Sequence, residues 1–350
     1  MNTLYIDCRM GVSGAKLLGA LVDILDNPDL FIYNFNKLGI EGIVIQRIPD
    51  AMKGITGSSI EFRRKSSSDS DPYADEIDDE DRTEYEPIRR VKRTLDDVKR
   101  FINKIKVDDE VKNKAIEIYT NIARAAAKAT DNDVEYITMK KTGSRDVIAA
   151  IVGVCLAIDE LSPERIISSS VAVGEGYART SRGRLPIPTP EMQLVLGDTP
   201  YINGTEKSEL ASLDGAALIA YFADEFGGMP EMTVRKSGAG FGRRSFRSGV
   251  ICVKASIGEA ASCTQGEITS QLCTELFDVS ESEISELGRT LCELGAEFVY
   301  TTDIKDFKGN SGLLLNCVCK NSQSIIIADE ILKRTDAQSV RKVSESVYLK

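Results

Sequence analysis

Asp7 closes a short apolar stretch, residues 3–7 (TLYID), and is followed by the glycine-flanked turn Gly11-Val12-Ser13-Gly14. An acid at a strand's carboxyl end, beside a turn that opens a helix, can hold a phosphate or a metal-phosphate pair. Helix N-termini carry unpaired N–H groups and partial positive charge. A tight strand-to-helix turn with no ligand satisfies the same residues, and the GK[ST] ending of a P-loop is missing. Asp146 stands in the first turn of a helix capped by Ser144, where the helix dipole favours an acid whether or not it does chemistry. Two basic segments complete the candidates. Residues 171–190 (VAVGEGYARTSRGRLPIPTP) carry Arg179, Arg182 and Arg184 ahead of prolines at 186, 188 and 190, which hold the backbone stiff and extended. This segment reads as a rigid wall beside an anion site, or as a crossover loop that needs only stiffness. Residues 237–244 (SGAGFGRR) alternate glycines before Arg243 and Arg244, a pattern that suits an anion-binding nest or a flexible glycine loop.

The chain has no histidine among its 350 residues. That removes Ser-His-Asp and Cys-His catalysis and every imidazole-metal arrangement, leaving carboxylates, lysine, thiolates and backbone groups. The eight cysteines stand mostly single within apolar stretches, where a free thiol packs as a small hydrophobe. Cys317 and Cys319 form a C-x-C on a strand, but no second pair stands at metal-ligand spacing. A net charge of −10 argues against nonspecific nucleic-acid binding. No apolar run has membrane-spanning length and the start is strand-like, so a cytoplasmic protein with no membrane contact is expected.

The elements that must position these residues are of mixed type, so the expected fold class is α+β: a mixed α/β N-terminal domain with a helical hairpin, then a ferredoxin-like C-terminal domain. Leu17, Leu18, Leu21, Val22 and Leu25 mark one face of a helix capped by Ser13. Strands are expected at 42–48 and 54–62, joined by a turn containing Pro49 and Asp50. Residues 66–86 hold ten acids and one base, a composition expected to stay disordered. Val91, Leu95, Val98, Ile102 and Ile105 step by threes and fours, as do Val111, Ala115, Ile118, Ile122 and Ala126, which predicts the hairpin. A strand is expected at 134–137, and small residues after Asp214-Gly215 suit a closely packed helix. From residue 259 a split β-α-β arrangement is expected to run to 350, with Lys305, Asp306 and Lys308 in its central turn; residues 1–258 form the first domain.

Taken in order, TLYIDCRMGVSGAKLLGALVD, SRDVIAAIVG, VAVGEGY…GRLPIPTP, DGAALI and GAEFVYTTDI…GLLLNCVC run across nearly the whole chain. In these motifs the chain resembles the LarC family, the nickel insertion proteins of nickel-pincer cofactor synthesis. The resemblance implies CTP-dependent insertion of nickel into a pyridinium bisthiocarboxylate mononucleotide, assisted by Mg or Mn. It implies Asp7 and Asp146 as metal or metal-phosphate acids, Asp278 as a remnant metal ligand and Lys308 as a triphosphate contact. Arg182, Arg184, Arg243 and Arg244 would face an anionic small molecule or nucleotide. The family's histidines and glutamate before the 144 helix fall on Thr138, Lys140 and Lys141, its second aspartate there on Ala150, and a loop histidine on Arg182. A counterpart of the family's C-terminal extension is expected to be absent after Lys350. Nickel prefers nitrogen and sulfur donors, so these departures keep two other readings open: a metal-independent nucleotide or anion binder, and a non-catalytic regulatory or scaffold partner. A protein partner or a second copy of the chain is compatible with each.

Overall fold

A computed structural model describes residues 1–40, 42–64, 93–139, 142–180, 183–242, 251–260, 269–277, 279–305 and 307–345. The acidic 66–86 tract, Lys140, Lys141, Arg182, Arg243, Arg244, Asp278 and Asp306 lie outside the described residues. The chain divides into two units, Met1–Ala261 and Ser262–Lys350. The expected boundary at 258/259 would cut a strand that runs on to Ala260.

In the first unit the elements are β1 (Asn2–Asp7), α1 (Gly14–Ile24), α2 (Pro28–Lys37), β2 (Ile43–Met52), β3 (Ile55–Arg64), α3 (Leu95–Asn103), α4 (Asp109–Thr130), α5 (Arg145–Leu161), β4 (Arg165–Ser168), β5 (Val171–Ala172), β6 (Tyr177–Thr180), β7 (Gly183–Pro186), α6 (Pro190–Leu196), β8 (Tyr201–Ile202), α7 (Leu213–Phe222), β9 (Glu225–Phe226), β10 (Met232–Phe241) and β11 (Cys252–Ala260). Among the described residues a seven-stranded sheet runs β2-β3-β10-β11-β1-β4-β9. β1, β4 and β9 are mutually parallel, β3 is parallel to β10, and β11 is antiparallel to both β1 and β10. The carboxyl ends of β1, β4 and β10 therefore share one edge.

α1 is buried on nearly every side rather than on the single expected stripe, because it lies between the sheet and α5. Glycine permits this. A Cβ on Gly240 would stand 1.7 Å from the Lys16 carbonyl oxygen, and one on Gly238 2.7 Å from Asp23 Cβ. The alternating glycines are therefore strand residues under a closely seated helix. Of the 237–244 stretch, residues 237–241 are strand rather than nest or flexible loop, and close approach of α1 accounts for their glycines.

Three local expectations change. Pro49 and Asp50 lie inside β2, and the hairpin turns instead at Lys53-Gly54, both at positive φ. Pro49 is tolerated because β2 is the sheet's edge strand. Residues Val134–Tyr136 form a 3-10 turn instead of a strand. The three prolines do not hold one extended run: Pro186 ends β7, the Ile187–Pro188 bond is cis, and Pro190 opens α6 beneath a Thr189 cap. The helical hairpin of α3 and α4 is present, and α4 also packs on α5, α6 and α7.

The second unit contains β12 (Thr269–Phe277), α8 (Glu281–Glu293), β13 (Ala296–Lys305), β14 (Ser311–Lys320), α9 (Ser324–Arg334) and β15 (Arg341–Glu345). Its sheet runs β13-β14-β12-β15 with all pairs antiparallel, the split β-α-β topology of the ferredoxin-like fold. Leu272, Leu287, Leu291, Leu315, Cys317, Cys319, Ile327 and Ile331 form its own core.

Candidate functional site

The shared carboxyl edge of β1, β4 and β10 is where open α/β sheets collect ligands, and β1 and β4 end there in the polar residues Asp7 and Ser168. Asp7 ends β1 and is held by Arg9 through both carboxylate oxygens, Nη2 to Oδ2 at 2.7 Å and Nε to Oδ1 at 3.0 Å. Burial disfavours the Asp7 charge, but the Arg9 hydrogen bonds and charge, with Lys254 opposite, outweigh it and hold the carboxyl below its usual range. Arg9 thus neutralises the Asp7 charge and occupies one lone pair on each of its oxygens.

Cys8 follows, fully buried, its N–H donating to Ser169 Oγ at 2.8 Å. Burial pushes its thiol up to about 12, so it is neutral and a poor ligand near neutral pH. Lys16 is 6% exposed, with its stem over Gly242 and its ammonium donating to the Leu210 carbonyl at 3.4 Å. The sequence reading passed over Lys16. Its signal was a cation in the first turn of a helix, where the dipole disfavours one.

The Gly11–Gly14 turn is already supplied with an anion. Gly14 N–H donates to Asp214 Oδ2 at 2.7 Å, and Ser13 Oγ accepts the Lys16 N–H. Asp214, 8% exposed at the start of α7, thus takes the place expected for a phosphate. The starts of α1 and α7 meet this closely because Gly14 and Gly215 lack side chains; a Cβ on Gly215 would lie 2.6 Å from Ser13 Cα.

Asp146 occupies the first turn of α5. Burial raises its pKa, the Ser144 hydroxyl and backbone N–H groups lower it, Asp214 raises it, and the net shift is upward. The loop before α5 is tied at two carbonyls: the buried Tyr119 hydroxyl donates to Thr142 O at 2.8 Å and Arg93 Nη1 to Gly143 O at 2.6 Å. The fold therefore groups Asp146 with Asp214 and Tyr119, while Asp7 has its own partners in Arg9 and Lys254. Among the described residues no group of three or more His, Cys, Asp or Glu side chains is placed to hold a metal.

The arginine-bearing segment forms the two-stranded ribbon β6–β7, with Arg179 opposite Arg184 in register. The Arg184 guanidinium lies 5.3 Å from the centroid of the exposed Tyr177 ring, a cation–π contact that leaves its donors toward solvent. In the second unit Lys308 sits in the turn between β13 and β14, its ammonium 5.6 Å from the Phe307 ring centroid. Cys317 and Cys319 share the core face of β14, where burial pushes the Cys317 thiol up to about 12 and raises that of Cys319. They are packing residues.

A solved structure of LarC2, the C-terminal domain of a cyclometallase involved in the synthesis of the NPN cofactor of lactate racemase, aligns at 18% identity. The alignment covers 23% of this chain and 56% of that one at a TM-score of 0.23, too slight a likeness to bear on the fold. The pyridinium-3,5-bisthiocarboxylic acid mononucleotide nickel insertion protein of Clostridium kluyveri is 28% identical over 343 residues, covering 98% of this chain and 83% of that protein. Its namesake in Acetivibrio thermocellus is 27% identical over 356 residues, covering 100% and 83%. The family model described as nickel insertion protein matches residues 4–348, and the chain belongs to that family.

Proposed function

We propose that this protein inserts nickel into a pyridinium-3,5-bisthiocarboxylic acid mononucleotide, in the cytoplasm, as a step of nickel-pincer cofactor synthesis. The observation that carries this reading is the family match across residues 4–348. Nickel is the metal delivered, and CTP with Mg or Mn is the proposed co-substrate. With no histidine in the chain, nickel's preference for soft and nitrogen donors falls on the substrate's own two thiocarboxylates. Carboxylates then serve transiently: Asp146, whose pKa burial and the Asp214 charge raise, Asp7 and Asp278 are the candidate acids. Lys308, Arg182, Arg184, Arg243 and Arg244 are proposed as anion contacts for the two nucleotides.

Anaerobic calorimetry and metal analysis with nickel, manganese and CTP test the proposal. Binding of nickel in the presence of substrate, with CTP binding that depends on manganese, is expected. Failure to bind both metal and CTP would overturn it. The ion pairing of Asp7 favours a second reading, a metal-independent nucleotide or anion binder. Nucleotide binding indifferent to metal would establish that one.

A further inference from the structure

β13 forms one edge of the second unit's sheet, and it lacks most of the features that keep sheet edges from pairing. Among the described residues the order β13-β14-β12-β15 leaves one row of its backbone N–H and C=O groups without a ladder partner. Other edges are blunted by shortness, charge or proline. β15 has five residues, Arg341, Lys342 and Glu345 among them; in the large sheet β9 has two residues and β2 carries Pro49. β13 has ten residues and no proline, and its run Phe298–Thr302 is uncharged and wholly aromatic or β-branched. Phe298 is 67% exposed and Tyr300 49%. A groove of 570 Å³ lies where this strand meets α8, lined by Ile284, Gly288 and Cys292 from the helix and Val299 and Thr301 from the strand.

A second β13 fits this edge, and its charges select one register. Val299 packs on the core beside α8, so from Phe298 onward the odd positions face the helices and the even ones the open side of the sheet. Opposite residues of paired strands share a face, so two identical strands about a two-fold axis must be centred on a residue. Centred on Thr301, the pairing overlaps all of residues 297–305 and brings Glu297, at the bulged start of the strand, to the partner's Lys305 at both ends. Among the described residues neither Glu297 nor Lys305 has an ion-pair or hydrogen-bond partner in its own chain. On the open face Phe298 meets the partner's Ile304 and Tyr300 the partner's Thr302, aromatic against β-branched side chains. Neighbouring registers lose these contacts: centring on Tyr300 sets Glu297 against the partner's Asp303, and centring on Asp303 sets that acid against itself.

We propose that two copies of this chain associate through β13, antiparallel and centred on Thr301, joining their four-stranded sheets into one of eight strands. The pairing satisfies the open backbone row, covers Phe298 and Tyr300, and closes the groove beside α8 against the other copy. It uses none of the residues proposed for nickel insertion.

Analytical ultracentrifugation of the full chain at low ionic strength is the test. The wild type is expected to sediment as a dimer or as an even-numbered assembly of dimers. E297K sets two cations together at both ends of the interface and K305E two carboxylates, and each should weaken the dimer about tenfold. E297K/K305E reverses the pair and should restore wild-type affinity, a rescue that damage to the fold of one chain would not show. Both positions are exposed, so circular dichroism should be unchanged throughout. On mild oxidation T301C should cross-link to its own copy above the wild-type background, whereas D303C, opposite the partner's Val299, should not. A monomer at every concentration would overturn the proposal, as would a dimer that neither single exchange weakens or a double exchange that fails to rescue. Equal cross-linking of T301C and D303C would overturn it as well.

Discussion

Asp146 and Asp214 show how two acids with similar sequence settings acquire different work. Each stands in the first turn of a helix, where the dipole favours a carboxylate. Asp214 spends its charge on the Gly14 N–H and so locks α1 to α7. Among the described residues Asp146 has no such long-range partner, and burial together with the Asp214 charge raises its pKa above 3.8. An acid whose pKa rises on folding leaves the folded state relatively most stable while both states are protonated. That advantage is lost as pH climbs from about 3.8 through the raised folded value, where the buried group must finally ionise. Asp146→Asn removes the titration. Urea denaturation across pH 3.5 to 7.5 should therefore show the wild type losing stability relative to the variant over this window, with a constant difference above it. A pH-independent difference would mean that Asp146 titrates alike in the folded and unfolded chains. Asp7 runs the opposite way, its Arg9 partner favouring the charged form, and its contribution fades only as pH falls through its lowered value.

At the scale of elements, the close seating of α1 on the sheet governs where the carboxyl edge places its side chains. Gly238 and Gly240 on β10 and Gly19 on α1 allow this approach: a Cβ on Gly19 would be 2.8 Å from the Ser58 carbonyl oxygen, and one on Gly240 2.7 Å from the Ala20 nitrogen. Gly240→Ala puts a methyl into the Lys16 carbonyl, which no side-chain rotation relieves. The expected cost is about 3 kcal/mol of unfolding free energy, the upper part of the range for overpacked cores, read as a lower urea midpoint. An alanine variant as stable as wild type would show that α1 can lift from the sheet without loss. The same α1–β10 contact carries the Lys16 stem over Gly242, so the variant should also disturb the ligand edge.

Over the whole molecule, the described residues of Met1–Ala261 build one large and one small buried cluster, and those of Ser262–Lys350 build another of their own. Buried residues of the second core come only from β12, α8, β13, β14 and α9. Differential scanning calorimetry should accordingly resolve two transitions. A fragment spanning 262–350 is expected to reproduce one of them. A single transition whose calorimetric and van't Hoff enthalpies agree would show that the two cores melt as one.

Much of this was legible in the residues themselves. Hydrophobic periods located α1, α3 and α4, and the order of elements after 259 specified the split β-α-β topology, because these signals are local and repeat along the chain. The motif series from TLYID to NCVC likewise pointed to the family. The absence of histidine was final in the sequence: no folding can supply an imidazole. Tertiary structure decided what the charged and glycine residues do, because their roles depend on partners distant in the chain. Asp214 reaches Gly14 across two hundred positions and fills the place expected for a phosphate. Arg9 claims Asp7, and glycines that resembled an anion nest serve a helix packed on a strand. Periodicity records which face a residue turns to the core; which atom it meets there is settled by contacts between elements that the sequence does not order.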